Sequence, residues 1–167
     1  MGCHPQQIPA ASHFLESLIQ ETLACRTTLV HGDFSPKNIL IHLGRVVLLD
    51  HEVIHFGDPA FDLGFSMAHF LSKAHHLPLQ RRAFLSAASV YWRIYLEELG
   101  PLAWVEKLET RAVRHTLGCL LARVTGRSQL EYLTPKKRAR QREVVLSLLA
   151  RPPQNVPELI KTFLARL

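Results

Sequence analysis

Two kinds of hydrophobic pattern divide the chain near residue 60. Residues 11–25 place apolar side chains on one helical face, which predicts an amphipathic helix that begins at Ser12 or just before it. That face consists of Phe14, Leu15, Leu18, Ile19 and Leu23. Short apolar runs follow in TTLV, NILIH and RVVLLD and predict strands. The last two form a β-hairpin, because Gly44 supplies a turn between them.

The chain after residue 60 has helical periodicity. Asp58 followed by Pro59 is typical of a helix N-cap with proline at the first helical position. The predicted helices run from Pro59 to about His75, Leu79 to Leu99, Pro101 to Thr125, Pro135 to about Ala150, and through a short closing segment. The sequence therefore predicts an α+β, mostly α fold. We expect a single domain over residues 1–167, with a helical subdomain over 60–167.

Composition limits the class of protein. The 167 residues are 47% hydrophobic and 20% charged, which is typical of a globular domain with a real core. A net charge of +6 permits anionic partners without demanding them. Cys3, Cys25 and Cys119 are far apart and form no C-x-x-C pair, which favours a reducing compartment, so we expect a cytoplasmic location. No apolar run approaches the ~18 residues of a membrane span, so no membrane partner is expected.

One polar constellation interrupts the strands. In LVHGDFSPKNIL, the residues His31, Asp33 and Asn38 have the spacing H-x-D-x-x-x-x-N, and Asp50 ends the next strand-like run. This is the spacing of the kinase catalytic loop, in which the Asp accepts a hydroxyl proton and the Asn holds magnesium. Magnesium prefers oxygen ligands. Because the hairpin brings two loop ends together, we expect Asn38 and Asp50 to share one Mg²⁺.

The segment LVHGDFSPKNIL followed by VVLLDHEVIHFGDPAFDLG resembles the aminoglycoside phosphotransferase and choline kinase family of small-molecule kinases. The resemblance covers residues 29–64, the expected catalytic and metal-binding loops. It implies a protein-kinase-like C-terminal lobe. It also implies that Asp33 is the catalytic acid–base residue and that Asn38 and Asp50 hold Mg²⁺ and the nucleotide.

The same resemblance implies that His31 and Asp62 support the catalytic loop from within. Gly32 stands where protein kinases carry an arginine that binds a phosphorylated activation loop, which argues against protein substrates. The implied co-substrate is ATP or another nucleoside triphosphate with Mg²⁺, and the implied acceptor is a small-molecule alcohol.

Neighbouring residues leave alternatives open. Ser35 either donates a hydrogen bond to a nucleotide phosphate or shapes the turn before Pro36. Glu52 either approaches the metal or braces its loop. Asp58 is predicted to cap a helix first. The Lys37 side chain is predicted to point to solvent rather than to clamp a phosphate.

The chain lacks sequence signals for a nucleotide-covering β-lobe. Only thirty residues precede His31, and they contain no G-x-G-x-x-G and no strand lysine. We therefore expect the N-terminal β-lobe to be absent, and the chain to be truncated and weakly active or inactive alone. The first alternative is a non-catalytic module that pairs with a missing lobe or another protein through an apolar surface.

The second alternative is a basic nucleic-acid-binding protein, and it depends on positive charge in the helical part. A basic run over 134–142 could bind nucleic acid through residues 136–142, but a solvated helix face is favoured because aromatic interleaving is missing. The acids of this part are outnumbered by Arg and Lys, which disfavours a strongly cationic acceptor. These acids are Glu97, Glu98, Glu106, Glu109 and Glu131.

Overall fold

The computed structural model describes residues 9–101 and 107–167, which form six helices and four short strands. The helices are α1 (Pro9–Ala24), α2 (Pro59–His76), α3 (Arg81–Leu99), α4 (Leu108–Thr125), α5 (Pro135–Leu149) and α6 (Val156–Ala165). The strands are β1 (Thr28–Val30), β2 (Ile39–His42), β3 (Arg45–Leu48) and β4 (His55–Gly57). The predicted α+β, mostly α class is confirmed. The kinase-like lobe and the single domain over 1–167 stay predictions.

The strands form two separate antiparallel sheets of two strands each. The predicted hairpin is present as β2 and β3, with His42 opposite Arg45 and a two-residue turn at Leu43 and Gly44. Both turn residues have positive φ, which suits the twist of a tight hairpin. The second sheet pairs β1 with β4. The sequence prediction of a single hairpin did not include β4, because three residues are too few to show an alternating pattern.

The start of α1 agrees with the sequence prediction, and the start of α3 differs from it. α1 begins before Ser12, whose hydroxyl donates to Glu16 inside the helix over 2.9 Å and therefore does not cap it. α3 begins at Arg81 because Pro78–Gln80 form a 3-10 turn.

Some predictions fall outside the described residues. These include Cys3, Glu106 and the stretch 102–106 that follows the predicted helix start at Pro101. Cys25 and Cys119 are free thiols.

The core is built around the crossing of α2 and α4. Gly64 of α2 makes this crossing close, since a Cβ there would lie 2.4 Å from Cβ of His115 on α4. The remaining helices pack around this pair, and the largest fully buried side chains are Phe163, Met67, Leu71, Leu108, Leu117, Leu120 and Leu121. The predicted apolar face of α1 is only partly covered, because Ile19 and Leu23 remain 50% and 59% exposed.

The strands carry much exposed apolar surface. Side chains on both sheets and on the segment between β3 and β4 are exposed; they include Leu29, Ile41, Val46, Val47, Val53 and Phe56. Within the described residues, none of the helices combines the length and the apolar character that spanning a membrane requires.

Candidate active site

Residues 31–38 form a tight connection from β1 to β2, called loop 31–38 below. Its last three residues form a 3-10 turn that begins with Pro36. The Ser35 N–H donates to the Asp33 carbonyl, and the Asn38 N–H donates to the Ser35 carbonyl, each over 2.9 Å. These short-range bonds turn the chain back on itself and draw Asn38 toward Asp33.

The side chains of Asp33 and Asn38 are in direct contact. Asn38 Nδ2 donates to Oδ2 of Asp33 and to the Asp33 carbonyl, both over 2.9 Å. Lys37 Nζ lies 2.9 Å from the same Oδ2, although its side chain is 62% exposed. Sequence reasoning had missed this ion pair. Asp33 Oδ1 makes no hydrogen bond with the described residues, so the carboxylate is held by one oxygen and keeps the other available.

Asp62, in the first turn of α2, holds the backbone of loop 31–38. Its Oδ2 accepts the His31 N–H over 2.6 Å and its Oδ1 accepts the Gly32 N–H over 2.9 Å. Burial raises the pKa of Asp62, and the two N–H donors counteract that effect only in part. The His31 ring reaches the other way, with Nε2 2.9 Å from the Leu49 carbonyl. These contacts tie loop 31–38 to α2 and to the residue after β3; the supporting role of His31 and Asp62 stays a prediction.

Asp50 is held near Asn38 through the backbone. Leu49, its neighbour in sequence, donates its N–H to the Asn38 carbonyl over 2.8 Å. Asp50 has a φ of +64°, a left-handed conformation that aspartate tolerates better than most residues. Its side chain is exposed and contacts none of the described polar groups. The structure therefore brings Asp33 and Asn38 together, and places the Asp50 backbone one residue from a bond to Asn38.

Two further predicted residues make no polar side-chain contact in the described ranges. Ser35 is fully buried, and its hydroxyl has no hydrogen-bond partner among those residues. Its contact with a nucleotide phosphate stays a prediction. Glu52 is exposed, so neither of its two alternative roles is decided.

Comparison with known proteins bears directly on this loop. The model of the phosphotransferase enzyme family matches residues 3–102, which include the four described strands and helices α1 to α3. The match spans more than half of the 167 residues. The chain belongs to this family. A search among curated proteins finds no match.

Membership of the phosphotransferase family confirms the resemblance found in residues 29–64 and gives phosphotransfer as the activity at a coarse level. The matched residues contain all six predicted site residues: His31, Asp33, Ser35, Asn38, Asp50 and Asp62. Helices α4, α5 and α6 lie outside the match, so only their contacts in the structure relate them to the site.

In this family member Asp58 joins the start of α2 to α4. Its Oδ1 accepts the Ala60 N–H over 3.0 Å, which confirms the predicted cap. Its Oδ2 accepts from Arg111 Nε over 2.9 Å and lies 3.7 Å from His115 Nε2. Burial raises the pKa of Asp58, but the neighbouring His115 ring, the Ala60 N–H and the Arg111 charge outweigh it and hold that pKa below its usual value.

An apolar cleft of about 570 Å³ lies between loop 31–38 and α3. His31, Phe34 and Asp62 line one side, and Tyr91 and Tyr95 of α3 line the other. Burial raises the pKa of Tyr91 to about 12, so its hydroxyl is neutral at ordinary pH. Asp33 is not among the residues that line this cleft.

A second group of side chains near Asp33 was not found from the sequence. The Ser66 hydroxyl of α2 donates to the Phe34 carbonyl, which fixes loop 31–38 against α2 one turn before His69. Burial and, next in size, the charge of Arg123 lower the pKa of His69 to about 4. Lys37 and Lys73 act in the same direction, whereas Asp33 raises it. The side of α2 beside Asp33 therefore has a positive environment.

We predict that His69 makes folding less stable as the pH falls from 6.5 toward 4. In that window the unfolded chain binds a proton at His69 while the folded chain does not, so protonation favours unfolding. The wild-type chain takes up protons when it unfolds in this window, and His69→Gln is expected to lower that number by up to about one. Urea unfolding at a series of pH values measures this slope. His13→Gln, at an exposed position of α1, is the matched control, and an equal slope in wild type and His69→Gln would contradict the assignment.

Proposed function

We propose that the chain is an ATP- and Mg²⁺-dependent phosphotransferase that acts on a hydroxyl group of a small molecule. The single observation that carries the proposal is the contact of Asn38 with Asp33, which leaves Asp33 Oδ1 available. Membership of the phosphotransferase family supports the same reaction class.

Asp33 orients the acceptor and takes its proton. Asn38 and Lys37 hold Oδ2, so Oδ1 is presented in a fixed direction to an incoming hydroxyl. The hydroxyl proton goes to Asp33 as the hydroxyl oxygen bonds to the γ-phosphorus of ATP. The bond from that phosphorus to the bridging oxygen breaks and releases ADP. The products are a phosphate monoester, ADP and a proton.

The donor groups near loop 31–38 suit magnesium. Among the described residues, no three His, Cys, Asp or Glu side chains are grouped closely enough to hold a metal ion. Magnesium needs fewer protein ligands than that, since it usually keeps water and phosphate oxygens with one or two carboxylates. Asn38 uses its amide nitrogen on Asp33, so its amide oxygen remains for a cation, and Asp50 offers an exposed carboxylate. When bound there, Mg²⁺ would neutralise phosphate charge.

The direct test is phosphate transfer followed by ³¹P NMR. The full chain is incubated with ATP, Mg²⁺ and separate neutral, anionic and cationic alcohols. The proposal expects a phosphate monoester and ADP in equal amounts, formed at the low rate that the sequence predicts, and neither product when EDTA replaces Mg²⁺. ATP loss without any monoester, or transfer that persists in EDTA, contradicts it.

We predict that Asp50→Asn raises the Mg²⁺ concentration needed for half-maximal transfer by about tenfold or more, because a carboxylate ligand becomes a neutral amide. The measurement is initial rate against Mg²⁺ concentration. Glu143→Gln is the matched control, since Glu143 is exposed on α5 in a surface pair with Arg140. An unchanged Mg²⁺ requirement would remove Asp50 from the metal site.

A second candidate is the binding module predicted from the sequence. It is favoured by the apolar side chains exposed on the strands, of which Ile41 is 73% exposed and Leu29 and Val46 are 67% exposed. This candidate expects association that does not depend on Mg²⁺. Sedimentation velocity with and without EDTA tests it, and a strictly monomeric chain would disfavour self-association through this surface.

A further inference from the structure

A cluster of cationic side chains lies beside the catalytic loop on α2 and α4. It consists of Lys73 and Arg123, with His69 one turn before Lys73, and is called the cationic cluster below. Phe65, His69 and Lys73 follow one another at four-residue spacing, so they share a face of α2. The Phe65 and His69 rings are 5.2 Å apart, and the Arg123 guanidinium lies 4.8 Å from the centre of the Phe65 ring.

Both cations are held in place by aromatic rings. Lys73 Nζ lies 3.8 Å from the centre of the Tyr132 ring, and Arg123 rests on Phe65. Arg123 also donates to the Ser128 carbonyl over 3.0 Å, which uses one of the five N–H donors of the guanidinium. The cations are therefore positioned before any ligand arrives, which lowers the entropy cost of binding one.

Neither cation is neutralised by the protein. In the described ranges, Lys73 and Arg123 take part in no ion pair with a carboxylate. Asp33, whose negative charge raises the pKa of His69, already forms an ion pair with Lys37. A partly buried positive cluster without acidic partners is complementary to an anion.

The position of the cluster relates it to the reaction. Ser66 bonds to Phe34, the residue after Asp33, and His69 follows Ser66 by one helical turn. A ligand on the cluster therefore lies on the same side of α2 as loop 31–38. The apolar cleft between that loop and α3 does not include Asp33 among its lining residues.

We infer that the cationic cluster binds an anionic group of the acceptor, so that the substrate is a hydroxy compound carrying a carboxylate or a phosphate. The inference rests on the proposed function for the identity of the reaction, but the binding site does not depend on turnover. Arg123 and Lys73 would donate to the anion, and the acceptor hydroxyl would extend toward Asp33 Oδ1.

Binding of glycerol 3-phosphate tests the inference without ATP. Titrations monitored by NMR compare it with glycerol, its neutral counterpart, and with choline, a cationic alcohol. We expect glycerol 3-phosphate to bind at least about tenfold more tightly than either. Equal affinity for the three compounds would overturn the inference.

Substitutions locate the anion on the cluster. Arg123→Gln and Lys73→Gln should each weaken glycerol 3-phosphate binding about tenfold, the effect of removing one charged hydrogen bond. Arg123→Lys keeps the charge and should retain more of the binding than Arg123→Gln. Arg151→Gln and Lys161→Gln alter exposed cations on other parts of the fold and serve as matched controls. Equal losses in the controls would indicate non-specific attraction to a basic protein and would overturn the inference.

Two further experiments distinguish an acceptor site from the nucleotide site, and failure of this inference from failure of the proposed function. Binding of glycerol 3-phosphate that persists in excess MgADP supports an acceptor site, whereas displacement by MgADP assigns the cations to the nucleotide and overturns the inference. Asp33→Asn should lower transfer by about 10²–10⁴-fold yet retain binding, because it removes a negative charge nearby. Phosphorylation of choline in preference to glycerol 3-phosphate would overturn the inference while leaving the proposed function intact.

Discussion

Replacing Asp33 with asparagine is expected to lower the rate of phosphate transfer by about 10²–10⁴-fold, the usual contribution of a positioned general base. The asparagine side chain has the same shape, and its carbonyl oxygen can still accept from Asn38 Nδ2 as Asp33 Oδ2 does. It cannot take the acceptor proton. The loss should therefore appear in kcat, with little change in the stability of the fold. Steady-state rates followed by ³¹P NMR and a thermal unfolding scan measure the two quantities.

Asp33→Asn also removes a negative charge, so a second variant must test the effect of losing charge alone. Glu143→Gln removes an exposed carboxylate far along the chain and should keep the wild-type rate. Asp33→Glu keeps the charge but displaces the oxygen, so we expect a rate well below wild type. If the Asp33→Asn enzyme turned over at the wild-type rate, Asp33 would have no catalytic role.

Asp58→Ala is expected to lower the free energy of unfolding by about 3–5 kcal/mol, the cost of breaking a buried ion pair from one side. The Asp58 side chain is fully buried and meets both the start of α2 and Arg111 of α4. Its removal leaves the Ala60 N–H without its cap and takes the carboxylate away from Arg111. Urea unfolding, monitored by circular dichroism, measures this change in the free energy of unfolding.

A surface pair offers the comparison for Asp58. Glu97→Ala breaks the Arg93–Glu97 pair, whose side chains are 60% and 56% exposed, and should cost less than about 1 kcal/mol. The stability due to Asp58 should be present above pH 3.8 and be lost as the pH falls through its lowered native pKa. Equal losses for Asp58→Ala and Glu97→Ala would show that the α2–α4 link is unimportant for stability.

Local chemistry explains which features the sequence could predict. The spacing of His31, Asp33 and Asn38 lies within eight residues, and a single 3-10 turn brings the last two together. The Asp58 cap likewise depends on neighbours in sequence. The hairpin of β2 and β3 follows from two short apolar runs on either side of a two-residue turn.

Long-range packing explains what the sequence could not show. β4 is recognised as a strand only by its pairing with β1, 25 or more residues earlier in the chain. The approach of Arg123 to Phe65 depends on the crossing of α2 with α4, for which no local pattern exists. Periodicity also over-predicted burial on α1, because Ile19 and Leu23 have the spacing of core residues but no neighbour that covers them fully.

The backbone at Gly32 leaves no room for a larger side chain unless its neighbours move. Its φ is +82°, and a Cβ at this position would lie 2.9 Å from the Val53 carbonyl oxygen. Protein kinases use an arginine at this point to bind a phosphorylated loop, and such a side chain fits here only if the segment around Val53 moves. Loop 31–38 therefore has no room at this position for a phosphate-operated switch of that kind.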